Sequence, residues 1–295
     1  MKLSVVMAVY NGERTLDATL DSILGQTMSD FELLVVDDGS TDATSAILTK
    51  HAMRDRRLRI LTQPNAGLTR ALIRGCAEAT ADVIARHDCG DRSHPERFAR
   101  QLPLMAANVL TGCAVRYVTT AGELLYETHA QGDDVRRSLL QDKTSIRSLP
   151  HHGTAMFRRD AYLAAGGYRP QFRVAQDLDL WTRIARRGNV AIVPDVLYEA
   201  TIEPGAISSI ARDAQLRATD VIVKLRDGGS APTLLAEASQ ITPGPRNGRS
   251  TAAAYYFIAR CLAANRNPAA RRYAWQAVRS NPLHWRAWLT LARWK

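Results

Sequence analysis

Four large apolar residues, Leu33-Leu34-Val35-Val36, run without alternation into Asp37-Asp38-Gly39-Ser40-Thr41-Asp42. An unalternating run suits a central strand of a parallel sheet, and it limits the chain to architectures with helices on both faces of that sheet. Glycine at position 39 permits the sharp turn that ends the strand. Ser40 or Thr41 is then placed to cap a helix, with Asp42 in its first turn favoured by the helix dipole. Asp37 and Asp38 fall at the carboxyl end of the strand, where open α/β sheets bind their ligands. Taken alone, the run also fits a strand-turn-helix junction with solvated aspartates.

The first hundred residues repeat this alternation. Strand-like runs at Leu3–Ala8, Glu32–Val36, Leu58–Leu61 and Asp82–Arg86 are separated by segments of helical period. Leu16, Leu20, Ile23 and Leu24 mark one such segment, and Leu68, Leu72, Ile73, Cys76 and Ala77 another. Such βαβ units imply an α/β fold, a parallel sheet flanked by helices. After about residue 110 the pieces are shorter and mixed. Val115–Thr119 and Leu124–Tyr126 flank Ala121-Gly122 as a hairpin, and helices are expected at 134–141, 176–187 and 212–226. Three more helices, about 250–264, 268–280 and 283–294, fill the end of the chain, with Asn-Pro at 267–268 and 281–282 punctuating their starts. That 14-residue spacing hints at a degenerate helical repeat of tetratricopeptide type, although two occurrences do not make a solenoid.

Charge is unevenly placed. The formal net charge is +10, and Arg246 to Lys295 holds ten basic residues and no acidic one. The other 245 residues carry 29 basic and 29 acidic groups and are neutral. Four of the five tryptophans (Trp275, Trp285, Trp288, Trp294) share that stretch, and Pro243-Gly244-Pro245-Arg246-Asn247-Gly248-Arg249 reads as a linker before it. The chain therefore divides into a body over 1–211, a helical connection and linker over 212–245, and a basic, tryptophan-rich helical tail over 246–295. Interfacial tryptophan with basic flanks suits an anionic membrane surface or a protein partner. A small bundle that packs its tryptophans inward satisfies the same pattern. Nucleic acid is not expected, since no recognised module accompanies the charge.

Cys76, Cys89, Cys113 and Cys261 are widely spaced, with no CxxC. They read as reduced thiols of a cytoplasmic protein, neither a disulfide frame nor a zinc site. No apolar run approaches the ~18 residues of a membrane span, and the opening Met1–Tyr10 reads as a first strand rather than a signal peptide. The expected location is the cytoplasm, with peripheral attachment at the inner face of the membrane as the further option.

Three groups of residues carry chemistry. Ala8-Val9-Tyr10-Asn11 ends the first strand beside Asp37-Asp38, and an aromatic ring next to a carboxylate can stack on a base while the carboxylate accepts its ring N–H. The first βα turn lacks G-x-G-x-x-G, which argues against a dinucleotide-binding domain. His87-Asp88-Cys89-Gly90-Asp91 follows the fourth strand, and carboxylates so close on a loop can hold a divalent cation against a diphosphate. The same residues would serve as an acidic helix-entry loop. Gln176-Asp177-Leu178-Asp179-Leu180-Trp181 opens a helix, where a carboxylate can act as general base or merely complement the dipole, with Trp181 in the core.

With these segments the chain resembles family 2 of the inverting glycosyltransferases, whose fold is the nucleotide-diphospho-sugar-binding GT-A type. The resemblance runs from about Ser4 to Tyr198. It rests on Ser4–Gly12, Val36–Asp42, Asn65-Ala66-Gly67-Leu68-Thr69-Arg70-Ala71-Leu72, Pro95-Glu96-Arg97-Phe98, His152-Gly153-Thr154-Ala155-Met156-Phe157-Arg158, Gly166-Gly167-Tyr168-Arg169 and Asp177–Trp181, in register. It implies a small C-terminal helical appendage to a GT-A domain and transfer of a sugar, from a UDP-sugar above other donors, to a hydroxyl of a glycan or lipid-linked acceptor in cell-surface polysaccharide or glycoconjugate synthesis. By position, Ala8, Tyr10 and Asp38 would line the nucleoside pocket. Asp88 and Asp91 would hold Mg2+ or Mn2+, and Asp177 would be the base. His152, Arg158, Asp179 and Trp181 would lie toward the acceptor or the diphosphate.

Three positions depart from the family pattern. Gly90 stands where a second metal carboxylate is usual, Gln176 replaces the usual Glu before the base, and Ile73 stands where asparagine is expected. The alternative these departures raise is a catalytically silent sugar-nucleotide binder of the same fold. A nucleotidyltransferase would need a glycine-rich, basic loop after the first strand, and Asn11-Gly12-Glu13-Arg14 is a poor version of one.

Overall fold

The computed structural model describes residues 2–129, 131–141, 150–204, 212–244 and 247–293. The first half is an uninterrupted βα alternation: β1 (Leu3–Val9), α1 (Leu16–Leu24), β2 (Phe31–Asp37), α2 (Thr44–Arg54), β3 (Leu58–Thr62), α3 (Leu68–Glu78) and β4 (Val83–Arg86). Here β1 lies between β2 and β4, β2 pairs with β3, and all three ladders are parallel. The unalternating runs are explained by burial on both faces. Val5, Met7, Leu33, Val35, Val83 and Ala85 pack on one side with Leu16, Leu20 and Leu48. Val6, Leu34 and Ile84 pack on the other with Leu72, Phe157 and Trp181. Each such aliphatic side chain contributes about 1.5–3 kcal/mol by leaving water.

The second half continues the sheet with mixed polarity. It adds β5 (Arg92–Ser93), α4 (Arg97–Gln101), β6 (Leu110–Thr119), β7 (Leu124–Thr128), α5 (Gly132–Gln141), β8 (Met156–Arg158), α6 (Arg159–Ala164), α7 (Gln176–Ala185) and β9 (Val190–Ile202). The strand order is β3-β2-β1-β4-β8-β6-β9-β5, with β7 beside β6. β8 is antiparallel to both β4 and β6, β6 is parallel to β9, and β5 runs against β9. The antiparallel ladders are short and each involves a strand of the second half, where the long β6–β9 ladder is again parallel, so the sheet as a whole is mostly parallel. The hairpin expected at 115–126 is present, but its first strand begins at Leu110. β9 is not foreseen from the sequence: Pro194 interrupts its apolar pattern, and the β6–β9 ladder shifts register beside it.

The helix after β2 starts at Thr44, so neither Ser40 nor Thr41 caps it. Both serve the neighbouring loop instead: Ser40 Oγ accepts from Asn11 N–H at 2.9 Å, and Thr41 N–H donates to Asn11 Oδ1 at 2.8 Å. Ala43 holds the N-cap position, and Asp42 before it accepts from Thr44 N–H at 3.0 Å. Gly39 has φ +77°, as its turn requires, and a Cβ there would lie 2.7 Å from Asn65 N.

Beyond the sheet, α8 (Arg212–Arg226) and α9 (Ala231–Gln240) pack Val221, Ile222, Leu234 and Ala238 against Phe172 and Val174 of the body. The stretch read as connection and linker therefore contains a docked helix pair. α9 was not expected, although Ser230 at its N-cap and a proline in its first turn mark its start. The tail forms α10 (Gly248–Ala264), α11 (Ala270–Ser280) and α12 (Trp285–Arg293). A capping box between Asn247 and Ser250 opens α10, and Ile258 and Leu262 dock it on Leu125. α11 and α12 begin two residues later than expected. Residues 211, 245, 246 and 294, on which the domain boundary, part of the linker and the last helix end fall, lie outside the described residues. The bundle does not pack its described tryptophans inward. Trp275, Trp285 and Trp288 are exposed, because the helices meet through Ala270, Ala274, Ala277 and Ala287. No helix among the described residues is long and apolar enough to cross a membrane.

Candidate active site

The carboxyl ends of β1, β2 and β4 open on one cleft, and its first wall is a set of loops tied by side-chain to backbone bonds. Gly12 N–H donates to Thr44 Oγ1 at 2.8 Å, and Glu13 and Asp42 exchange bonds with each other's loops. Asp38, buried, accepts from Gln63 Nε2 at 2.6 Å and Ala66 N–H at 2.9 Å on Oδ1, and from Gly67 N–H at 2.8 Å on Oδ2. Three of about four lone-pair positions are thereby filled, leaving one on Oδ2. Asp37 is turned to Ser40 N–H at 2.9 Å. Tyr10 stands beside this wall with half its surface exposed, and Ala8 is partly buried beneath.

The opposite wall buries its charges. Arg86, at the end of β4, is completely enclosed. It donates to the carbonyls of Val6 and His87, to His152 Nε2 at 3.3 Å, and to Asp88 Oδ1 at 2.7 Å. Arg97 lies behind it, also enclosed, donating to Arg86 O, Ser93 Oγ and Gln101 Oε1 and stacking on Tyr198. Tyr198 of β9 joins the two acidic residues: its hydroxyl donates to Asp91 Oδ2 at 2.9 Å and accepts from Asp88 N–H at 3.2 Å. Thr201 N–H donates to Asp91 Oδ1 at 2.9 Å.

These surroundings drive the two carboxyls apart. Burial would raise Asp88, but the Arg86 guanidinium overcomes it and holds the group at about 2. Burial, and then the charge of Asp88, pushes Asp91 up to about 8. His151 lies within the same cluster; burial lowers its pKa, and its Nδ1 accepts from Gly153 N–H at 3.2 Å. The ligand atoms of Asp88, Asp91 and His151 lie within 4.8 Å of one another. Once both are ionised, Asp88 and Asp91 offer oxygen donors that fit a divalent cation, with His151 beside them.

Gly90, which stands where the family pattern has a metal carboxylate, has φ +100° and donates its N–H to Thr19 Oγ1 at 3.0 Å. That turn carries Asp91, not residue 90, to the cluster. Gly153 admits no side chain, since a Cβ would lie 2.0 Å from the Tyr198 hydroxyl.

Asp177 enters from α7. The helix starts after Ala175, which has φ +55°, a left-handed conformation costing a residue with a Cβ about 1–2 kcal/mol. Such strain collects at functional sites. Asp177 is partly buried, and its one described hydrogen bond comes from Leu178 N–H at 2.9 Å. Burial raises its pKa, with Asp88 adding to the rise and Arg86 opposing it. A carboxyl with a raised pKa and an oxygen left open is suited to take a proton.

The remaining sequence candidates divide differently. His152 is buried behind Asp88 against Arg86 and pairs with the Tyr168 hydroxyl at 2.8 Å. Asp179 is buried between Arg169 and Arg183, and Trp181 is fully enclosed in the core. Arg158 pairs in register with Val83, at the start of β4, and binds Asp160 on the surface. The neighbouring strand ends thus bring Ala8, Tyr10, Asp38, Asp88 and Asp91 to one side of the sheet, Asp177 lies within electrostatic reach of Asp88, and Arg158, Asp179 and Trp181 are engaged elsewhere. His151, Tyr198, Arg86 and Arg97 escaped the sequence reading. An arginine closing the apolar run Val83-Ile84-Ala85 was the available signal for Arg86; no spacing marks Tyr198.

A family model described as Glycosyl transferase family 2 matches residues 4–164. The chain is 34% identical over 185 residues to the O-antigen biosynthesis glycosyltransferase WbnJ of Escherichia coli, covering 62% of this chain and 71% of the relative. Among solved structures, it is similar to the mannosyltransferase PcManGT of Pyrobaculum calidifontis in complex with GDP-Man and Mn2+, with TM-score 0.58, 22% identity and coverage of 99% of this chain and 84% of the other. It is also similar to S. aureus TarS 1–349 in complex with UDP-GlcNAc, with TM-score 0.59, 17% identity and coverage of 99% and 89%. These two likenesses are of fold.

Proposed function

This chain belongs to glycosyl transferase family 2 and is a glycosyltransferase, and we propose that it transfers a sugar from a nucleotide-diphosphate donor, a UDP-sugar first, to an acceptor hydroxyl with inversion. The observation that carries this reading is Asp177, a carboxylate of raised pKa with an open oxygen, electrostatically coupled to Asp88 across the cleft. The acceptor O–H gives its proton to Asp177 while its oxygen bonds to the anomeric carbon. The bond from that carbon to the diphosphate oxygen breaks, and the electron pair leaves with the nucleotide. Attack from the face opposite the leaving group inverts the configuration.

The remaining roles follow from the geometry. Asp38 has one acceptor position left for a base N–H, and Tyr10 offers a ring beside it. Asp88, Asp91 and His151 would hold a divalent cation, which when bound neutralises charge on the departing diphosphate. Arg86 keeps Asp88 ionised for that role. We treat 1–211 as the transferase domain and 246–295 as the appendage. The likeness to an O-antigen biosynthesis enzyme supports a glycan or lipid-linked acceptor in cell-surface polysaccharide synthesis. Four free thiols support the cytoplasm as its location, and the basic appendage supports a position at the inner face of the membrane.

The test is a donor screen with the purified full chain, UDP- and GDP-sugars and Mn2+, scored by released nucleotide, followed by NMR assignment of the product anomer. An α-linked donor should give a β product. A retained configuration would refute the single displacement, and donor binding without transfer to any acceptor would favour the silent binder.

A further inference from the structure

Helix α12 turns Trp285, Trp288 and Leu289 outward and packs Ala287 and Leu291 inward. Ala287, fully buried, and Leu291 meet Ala277, Val278, Tyr255 and Tyr256. Trp285, Trp288 and Leu289 are 62%, 47% and 51% exposed. Residues three and four apart share a helix face, so these three form one stripe. Trp275 of α11 extends it, its ring meeting Trp288 edge-on at 5.8 Å. Leu283, in the turn between the helices, is 86% exposed.

Cations accompany the stripe. Arg271, Trp275 and Arg279 follow one another at four-residue intervals along the exposed side of α11, and the Arg286 guanidinium lies 5.2 Å from the centre of the Trp285 ring. Among the described residues of α11 and α12, ion pairing is confined to Arg272, which binds Glu123. The Trp288 indole N–H already donates to Pro282 O at 2.9 Å, so its ring can enter an apolar phase without orphaning a donor.

We propose that this face docks on a lipid surface bearing anionic headgroups. Trp275, Trp285, Trp288 and Leu289 enter the headgroup–acyl boundary, and Arg271, Arg279 and Arg286 meet the phosphates. Charge selects this occupant. From Arg246 to Lys295 there is not one acidic side chain among ten basic ones, which matches a surface of uniform negative charge. Protein interfaces, by contrast, pair charges of both signs. An exposed patch of large apolar groups is itself the mark of an interface. The inference sharpens the membrane placement proposed above and stands independently of the transfer reaction.

The experiment is flotation of the full chain with vesicles of phosphatidylcholine, alone or mixed with phosphatidylglycerol, together with tryptophan quenching by a lipid-borne quencher. The protein should float with the anionic vesicles, less so at high salt, and its appendage tryptophans should be quenched. Trp181, enclosed in the body, is the internal control and stays unquenched. Trp285→Ser with Trp288→Ser, and separately Arg279→Glu with Arg286→Glu, should each weaken binding roughly tenfold or more; the second pair leaves the apolar packing untouched. Equal binding to neutral and anionic vesicles, or indifference to both pairs, would overturn the proposal. So would a doubled mass without lipid that either pair abolishes, which would assign the face to a second copy.

Discussion

The two walls of the cleft grow from one sheet, yet they hold their polar groups in opposite ways. On the β1–β3 side, loops are tied by bonds such as Asn11 to Ser40 and Thr41, and most of these are near solvent. On the β4–β9 side, Arg86, Arg97, Asp91 and His87 are all buried, and Asp88, Asp91 and His87 have strongly displaced pKa values. The first wall fixes loop shape and needs little electrostatics. The second holds unequal protonation states side by side, and a cation bound there would displace the proton of Asp91. On the proposed reading, binding falls chiefly to the first wall and chemistry to the second.

Replacements should expose that division. The largest effect falls on Arg86, the cation on which Asp88 depends. Arg86→Met leaves a carboxylate without its partner and should lower the unfolding free energy by about 3–5 kcal/mol in denaturant titrations; an unchanged midpoint would show that the charges on this wall are not coupled. Next comes Tyr198→Phe, which removes the hydroxyl linking Asp88 and Asp91. Transfer should fall about tenfold to a hundredfold, with the Mn2+ half-saturation point raised and the donor KM little changed. Asp38→Ala, on the other wall, should act the other way. Its donor KM should rise about tenfold, as for loss of a charged hydrogen bond, with kcat moving less. If Asp38→Ala lowered kcat and spared KM, the walls would have been assigned in reverse.

Legibility in the sequence follows the same line. The strands β1 to β4 announce themselves because a parallel sheet buried on both faces demands continuous apolar runs, and Leu33–Val36 is one. The Asp37-Asp38-Gly39 turn is readable because only glycine adopts φ +77° freely there. The second wall depends on contacts that no local pattern carries. Tyr198 reaches Asp91 across 107 residues, from a strand whose apolar pattern Pro194 breaks. The adjacent pair His151-His152 offers two equivalent candidates; tertiary packing turns His151 toward the acids and His152 toward Arg86. Arg158 was readable only as a member of a motif, and strand polarity puts it beside Val83 at the start of β4, the opposite end from Asp88. The outward tryptophans were ambiguous for a similar reason. Amphipathic periodicity shows that a helix has two faces, but the alanines at 270, 274, 277 and 287 decide which face packs.

The central claim is that Asp177 takes the acceptor proton. The direct measurement is Asp177→Asn, compared with wild type for donor Kd and for kcat across pH. Burial raises the Asp177 pKa, and the base must be ionised, so wild-type kcat should climb with pH through a limb displaced upward from that of a free aspartate. The variant should bind donor normally, lose about 10²–10⁴-fold in kcat and lack that limb. Near wild-type turnover with the limb intact would contradict the account.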